Sequence, residues 1–573
     1  MLTRTQGSAG SPKRTDLRLI PAVLVTWSVA FAGSLIDAAW SAALAGVMAL
    51  VGTLLLVRTR RHRRAVPRAR TISATLALAG VLGAAVAVSC AVTANTREGG
   101  PLAEAVAEGS GVLIEVRITG VPAEVPAPGH SGGNRWSVEA GLVEVTSKGS
   151  VTQGSADVMV VGGNGWQDVR PGQHVRTSGT LKPVREGQAQ AALLAAASAP
   201  VVLTSAFDVR HSAFDLRRQF VAASGWLPPD PAGLLPGMVT GDTSALPESL
   251  KADMKTTGMT HLTAVSGANC SLVLGGFILI ARCLRLTRPL AGIFAACGLL
   301  AFVVMVGPDP SVLRAAVMGT VGLAALVGGL RGRSLTFLCL ATIILLLLDP
   351  SMASNVGFLL SVLATLGIIL LATRIASWIP STVPRWLAAG IAVPLSAQLL
   401  CGPVIAALQP QFTPYALVAN VVAGPLVAPI TIFGTFAVPL AAVLPWLAAA
   451  PVAVAGVCAG VVAGLARFFA HLPGAALPWA EGPAGVSAMV ALSVVSVLVF
   501  WMMLHPTGVV HQVMMLHRAV MLTIERGARR KHGRLEACKK SSGRNHLWLL
   551  PKTPGPRASR RAPSPGAMRR RPP

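Results

Sequence analysis

The feature that most limits what this chain can fold into is a series of apolar runs close to 20 residues long. Thr71–Thr93, Leu262–Ala281, Val356–Ala372 and Val486–Leu504 contain no charged residue at all. A helix needs about 20 apolar residues to cross a bilayer, where no water can satisfy its backbone. Leu335–Leu348 has 14 residues, so a span there must tilt little or borrow flanking residues. Only 13% of the 573 residues are charged, against about 25% in a soluble domain. Mean hydropathy is +0.61. The pattern is that of a polytopic membrane protein.

Charge sets the expected orientation. The net charge of +26 is clustered. Arg58 to Arg70 holds seven arginines and no acid, and Arg518 to the end holds sixteen Lys/Arg against Glu525 and Glu536. Lys and Arg beside apolar spans stay in the cytoplasm. Binding of anionic lipid or nucleic acid is a second reading of the same clusters. Three spans open the chain, at about Leu19–Gly33, Ala38–Val57 and Thr71–Thr93. With Lys13, Arg14 and Arg18 inside, the chain emerges outside after Thr93. The basic stretch before the first apolar run looks like a signal peptide, but a second run comes at once, so an uncleaved anchor is expected. The eight cysteines form no CxxC, which suggests neither a metal cluster nor a disulfide framework. No cofactor is implied.

From about Ala94 to Val209 the texture changes to alternating runs between turn clusters. Gly111–Thr119, Trp136–Val145, Asp157–Val161 and His174–Leu181 read as strands, with turns at Gly132-Gly-Asn134 and Gly162-Gly-Asn-Gly165. Roughly five short strands suit a small OB-like barrel. Such barrels often bind oligonucleotides, and Arg135, Trp136, Trp166 and Arg176 are the candidates for charge and stacking. The plainer reading of the tryptophans is core.

After an amphipathic stretch from His211 to Thr260 come about nine further apolar segments. Counted against charge, the basic tail lands inside only if Val418–Leu447 crosses once. Gly424, Pro425, Pro429, Gly434 and Pro439 interrupt that stretch. Irregular backbone at membrane depth is tolerated where it lines a water-filled cavity, so Asn420–Pro439 is a candidate pore element, broken or re-entrant.

Polar groups are costly at membrane depth and are functional candidates by default. Arg314, near the outer mouth of a span, reads either as a phosphate-contacting or gating charge or as a structural partner of Asp309 or Asp349. The run from Thr257 to Ser271 is the densest small-polar stretch of the apolar half. His261, Ser266, Asn269 and Ser271 are spaced so that several share one helix face, and Gly267 permits close backbone approach. No third group orients the histidine, so packing or pore lining is expected rather than hydrolysis. Gln398 and Asn420 are lone amides, pore contacts or interhelical bonds.

Several motifs then fall in a familiar order. They are Gly233-Leu-Leu-Pro-Gly-Met-Val-Thr-Gly-Asp242, Thr257-Gly-Met-Thr-His261-Leu-Thr-Ala-Val-Ser266-Gly267, and Pro310-Ser-Val-Leu-Arg314. Asp349-Pro350 comes next, leading to Gly357-Phe358-Leu-Leu-Ser361 and Ala364-Thr-Leu-Gly367, then Ser396-Ala-Gln398, and Asn420 with Pro425. Together they resemble the competence DNA-internalisation channel family, the ComEC type, over about Leu19 to Leu504. The resemblance implies an aqueous path for one strand of incoming DNA. It also implies an outer DNA receptor and a cytosolic ATP-driven helicase or motor, since this sequence has no P-loop. Where the family often shows Leu-His after the Ser-Gly, Ala268-Asn269 stands here. Many members continue into a metallo-β-lactamase-like domain, which needs a His-x-His-x-Asp-His type of cluster for its metals. No such cluster occurs in these 573 residues. A channel rather than an enzyme is therefore expected, with any nuclease encoded elsewhere or lost.

The expected fold is a polytopic α-helical membrane protein of about 11–13 transmembrane or re-entrant segments, with an inserted extracytoplasmic OB-like β-barrel. Its parts are a three-helix anchor (1–93), the barrel domain (94–209), an amphipathic connector (210–260), the channel domain (261–505) and a basic, disordered cytoplasmic tail (506–573). The expected path residues are Asp242, His261, Ser266, Gly267, Asn269, Arg314, Gln398, Asn420 and Pro425. Single-stranded DNA and membrane lipid are the expected partners, and a homo-oligomer is compatible with the sequence. The rivals are a polytopic transporter of a small solute, whose paired inverted half-repeats are not found, and a non-functional truncated remnant. The orientation has a direct check. A reporter active only in the cytoplasm should be silent when fused after residue 150 and active when fused at the C-terminus. The reverse pattern refutes it.

Overall fold

A computed structural model describes residues 17–61, 67–98, 101–109, 111–125, 135–147, 150–153, 156–184, 190–204, 209–307, 309–327, 334–505, 514–515 and 517–526. Helices α1 (Ile20–Gly33), α2 (Ala38–Arg61) and α3 (Pro67–Glu98) lead through α4 (Pro101–Glu108) into the β domain. α2 and α3 approach closely because Gly52 and Gly80 face each other: a Cβ on Gly80 would stand 3.0 Å from the Cα of Gly52.

The strands are β1 (Gly111–Ile118), β2 (Ala123–Val125), β3 (Arg135–Ser147), β4 (Ser150–Gln153), β5 (Asp157–Gly162), β6 (His174–Lys182), β7 (Ala192–Ala196) and β8 (Val201–Thr204). Five of them close on themselves in the order β1-β3-β5-β7-β6-β1, with β5–β7 the parallel pair. This is a Greek-key barrel of the OB kind. β1 shows strict alternation, with Val112, Ile114, Val116 and Ile118 buried inside. β7 is the strand that the sequence conceals. Its residues Ala-Leu-Leu-Ala-Ala are helix formers, but pairing on both sides holds them extended.

The membrane part continues with α5 (Val209–Ser224), α6 (Pro229–Thr240), α7 (Glu248–Thr256), α8 (Gly267–Cys283), α9 (Arg288–Val306), α10 (Pro310–Val327) and α11 (Ser334–Leu348). Next come α12 (Val356–Gly367), a π-helical turn at Ile368–Ala372, α13 (Thr373–Trp378), α14 (Arg385–Leu408), α15 (Ala416–Val443), α16 (Pro445–Ala470) and α17 (Gly482–Leu504). Two short strands, β9 (Gln411–Phe412) and β10 (Leu477–Pro478), pair between the last helices. Among the described residues nine helices are long and apolar enough to cross a membrane, and three more are apolar but shorter. The chain is thus a multi-pass helical membrane protein with an inserted barrel.

Two expectations are corrected here. Asn420–Pro439 is not broken: α15 runs unbroken through Pro425, Pro429 and Pro439, for about 42 Å at 1.5 Å per residue. Proline and glycine are tolerated inside such helices because neighbours re-satisfy the freed backbone groups. In the tail, where no regular structure is expected, residues 514–515 and 517–526 are helical. Met, Leu, Ala and Arg there are good helix formers. The rest of 506–573 lies outside the described residues, as do Gly132–Asn134, Arg331 and Arg333.

Around the connector, packing is core-like. Leu234, Leu235, Met238 and Val239 of α6 are sealed against Ala437, Val438, Val452 and Ala455 of α15 and α16. Glycine makes this possible at Gly434, where a Cβ would overlap Val239, and at Gly456, where it would overlap Leu227. The anchor joins the bundle through Trp27, stacked on Phe358 at 5.1 Å and donating to the Ala353 carbonyl.

Gly162 leaves the space that the Trp166 indole fills in the barrel. Gly162→Leu should therefore open the barrel. Limited proteolysis of the full chain should then cut within 94–209 while the membrane helices stay protected; an unchanged digest would refute the packing argument.

Candidate functional site

The irregular backbone expected in α15 lies beside it instead. Gly258 stands against Ala416, the first residue of α15. Val239 stands against Gly434, and Asn269 Nδ2 donates to the carbonyl of the neighbouring Met238 at 3.0 Å. Residues 416 and 434 are about 27 Å apart along the helix. The chain from Gly258 to Gly267 therefore descends along α15 from its start to its middle. Apart from a 3-10 turn at Thr260–Leu262 this stretch is not helical, although Thr260–Cys283 has the length and hydropathy of one span. Backbone of this kind at membrane depth has to be held by protein or by water in a cavity.

Protein holds much of it. Thr263 donates to the Thr260 carbonyl at 2.8 Å, and Ser311 Oγ reaches the Val265 carbonyl at 3.0 Å. Asn269 is buried, fixed between Met238 and the Ser266 hydroxyl, which donates to Asn269 Oδ1 at 3.3 Å. Asn269 is thus a clamp between α6 and α8. Ser266 turns to Asn269 rather than to His261, which is exposed on the 3-10 turn.

Arg314 sits on α10 and is only 5% exposed. Its Nη1 donates to the Thr365 hydroxyl of α12, which donates in turn to the Ser361 carbonyl, and contacts Met318 Sδ at 3.7 Å. Its Nε is buried without a partner. Among the described residues no carboxylate pairs with it. Asp309 and Asp349 are engaged as local caps, accepting from Ser311 and Ser351. Of the two sequence readings of Arg314, the partnership with Asp309 or Asp349 is thereby overturned. Thr365 and Met318, which hold the guanidinium, are supporting residues that the sequence did not single out; a threonine in an apolar helix gives little signal.

The structure thus gathers Ser266, Gly267, Asn269 and Arg314, with Asp242 just beyond the end of α6. Asp242 accepts from Ser244 at 2.6 Å and lies near Arg217. Arg217 donates to the Met305 carbonyl at 2.6 Å, at the end of α9. Burial pushes its guanidinium below the ordinary value, and the Asp242 charge opposes this. Gln398, Asn420 and Pro425 are not part of the group. Asn420 bonds its own helix at Ala416, Pro425 is exposed, and Gln398 is half-buried on α14. Beside Gln398, the Ser396 backbone packs on Gly367, where any Cβ would overlap it.

In the barrel, Trp166 is corrected to core: it is fully buried, with Nε1 directed at the Ser198 carbonyl, so no base can reach its face. Trp136 is half-buried and Arg135 exposed. Arg176 pairs with Glu115 at 3.6 Å. Arg176 is level with Glu115, and Glu115 with Glu144 of β3. Arg135, nine residues away on β3, is about 30 Å along the strand, so the two arginines make no common patch. Residues 94–209 carry eight Lys/Arg against eleven Asp/Glu.

A second charge cluster fixes α6 and α7 to α16. Arg467 holds Asp230 at 2.6 and 2.7 Å and Asp253 at 3.2 Å. The Arg467 bond keeps the Asp230 carboxyl below its usual range, against the opposing effect of burial. A carboxyl depressed in the fold contributes stability in full above its unfolded value, near pH 4. That contribution is lost as pH falls through the folded value. Asp230→Asn should therefore lower thermal stability equally at pH 6 and pH 8, by about 1 kcal/mol because the pair is partly exposed. A loss confined to one of these pH values in melting experiments would refute the ion-pair account.

Residues 238–504 match the family described as Competence protein. The matched stretch begins at the residue whose carbonyl Asn269 holds, and ends with α17. ComE operon protein 3 of Bacillus subtilis (strain 168) is 32% identical over 164 residues, which are 28% of this chain and 21% of that protein. The match thus spans about a fifth of the relative's length. No solved structure matches the chain.

Proposed function

We propose that this chain, whose residues 238–504 match the competence-protein family, passes single-stranded DNA across the cytoplasmic membrane during natural transformation. The observation that supports this best is the polar, non-helical stretch Thr257–Ser266 at membrane depth, with Arg314, which no described carboxylate neutralises, beside it. A polyanion cannot enter hydrocarbon, so it needs a polar conduit with compensating positive charge. In this reading the barrel stands outside and both the N-terminus and the basic tail lie in the cytoplasm. An outer receptor delivers DNA and a cytosolic ATP-driven motor draws it in. The barrel's acidic balance assigns capture to that receptor, and the membrane part supplies the positive charge.

The test is transformation in a strain deleted for this chain, followed with labelled duplex DNA. DNA that binds outside but reaches the cytosol only when the chain is restored supports the reading; uptake that is the same with and without the chain sinks it. In the restored strain, Arg314→Ala should cut uptake about tenfold or more, the worth of one hydrogen bond to a charged group, at unchanged membrane level. Asn269→Leu should lower uptake and membrane level together, since it frees the Met238 carbonyl and unclamps α8. Immunoblots of membranes beside the uptake counts separate the two effects.

A further inference from the structure

The start of α8 and the Arg314 guanidinium lie side by side. Ser266, at the N-cap, is extended (φ −104°, ψ 165°) and makes no side-chain capping bond. The amides of Asn269 and Cys270 turn back to the Ser266 carbonyl, while those of Gly267 and Ala268 have no acceptor among the described residues. A helix start with free N–H groups carries partial positive charge and binds anions. Arg314 Nη2 lies 3.0 Å from where a Cβ on Gly267 would be, and the methyl of Ala315 lies 3.3 Å away. Among the described residues Nη2 has no partner either, and of the Arg314 nitrogens only Nε is sealed without one. Thr365 holds the guanidinium in place through Nη1.

We propose that the Gly267 and Ala268 amides and Arg314 Nη2 form a binding site for one oxyanion, the phosphodiester of the passing strand. The identity of this ligand rests on the DNA-passage reading; the existence of the site does not. Backbone amides beside a guanidinium nitrogen suit the non-bridging oxygens of a phosphate. Glycine at 267 lets the guanidinium come this close to the helix start, because a Cβ there would press on Nη2. A single positive charge binds a phosphate weakly enough for the strand to move on, as conduction requires.

The experiment is equilibrium dialysis of the purified full chain in detergent against radiolabelled inorganic phosphate at low salt. Oligothymidylate and phosphatidylglycerol are then added as separate competitors. Saturable phosphate binding is expected, weakened about tenfold or more in Arg314→Met and weakened also in Gly267→Ala, with oligothymidylate competing. Gly267→Ala keeps the charge, so it tests the cradle if Arg314→Met fails to fold. Phosphate binding that is absent, or unchanged in either folded variant, overturns the site whatever happens to DNA uptake. Binding lost in both variants but untouched by oligothymidylate supports the site and overturns DNA passage through it. Competition by phosphatidylglycerol alone makes the occupant a lipid headgroup and overturns the assigned ligand.

Discussion

At membrane depth an unpaired backbone amide or a lone cation costs several kcal/mol, and the middle of this protein is organised around that cost. The descent from Gly258 to Gly267 places irregular backbone beside the centre of α15. It is bearable because α6, buried in the bundle, lends the Met238 carbonyl to Asn269, and because Ser311 reaches across from α10. Helices α5, α6 and α7 are therefore more than a connector. They form the wall against which the irregular stretch is held, and Arg467 fastens that wall to α16 through Asp230 and Asp253.

Much of this architecture is legible in the residues. The spans show because their length is set by the bilayer, and the barrel strands β1, β3, β5 and β6 show because one face of each alternates inward. β7 escapes because alanine and leucine say helix locally, and only its two neighbours make it a strand. The proline-rich stretch in α15 misleads for the opposite reason. In water, Pro425, Pro429 and Pro439 would break a helix, but packed neighbours keep this one intact. The polar run from Thr257 to Ser271 is visible as a concentration of expensive groups. That its first half is not helical cannot be seen, since its hydropathy alone is that of a span.

The barrel teaches a different lesson. Its topology is of a kind that often holds oligonucleotides, and its tryptophans and arginines invite that role. The fold spends Trp166 on the core and pairs Arg176 with Glu115, and acids outnumber bases across the domain. Topology alone carries no ligand; the surface charge has to agree, and in this barrel it does not.

The π-helical turn at Ile368–Ala372 has a consequence for the span that contains it. A π turn holds an additional residue relative to an α turn, and each residue rotates a helix by about 100°. α12, which presents Thr365 to Arg314, and α13, which packs on α14, are thus out of phase with each other. Loss of any one residue between 368 and 372 would restore regular winding and swing Arg374 to another side of the helix, while Gly367 stayed pressed against Ser396. The span is in effect two helices with separately set faces, joined by a turn whose residue count, more than its composition, matters.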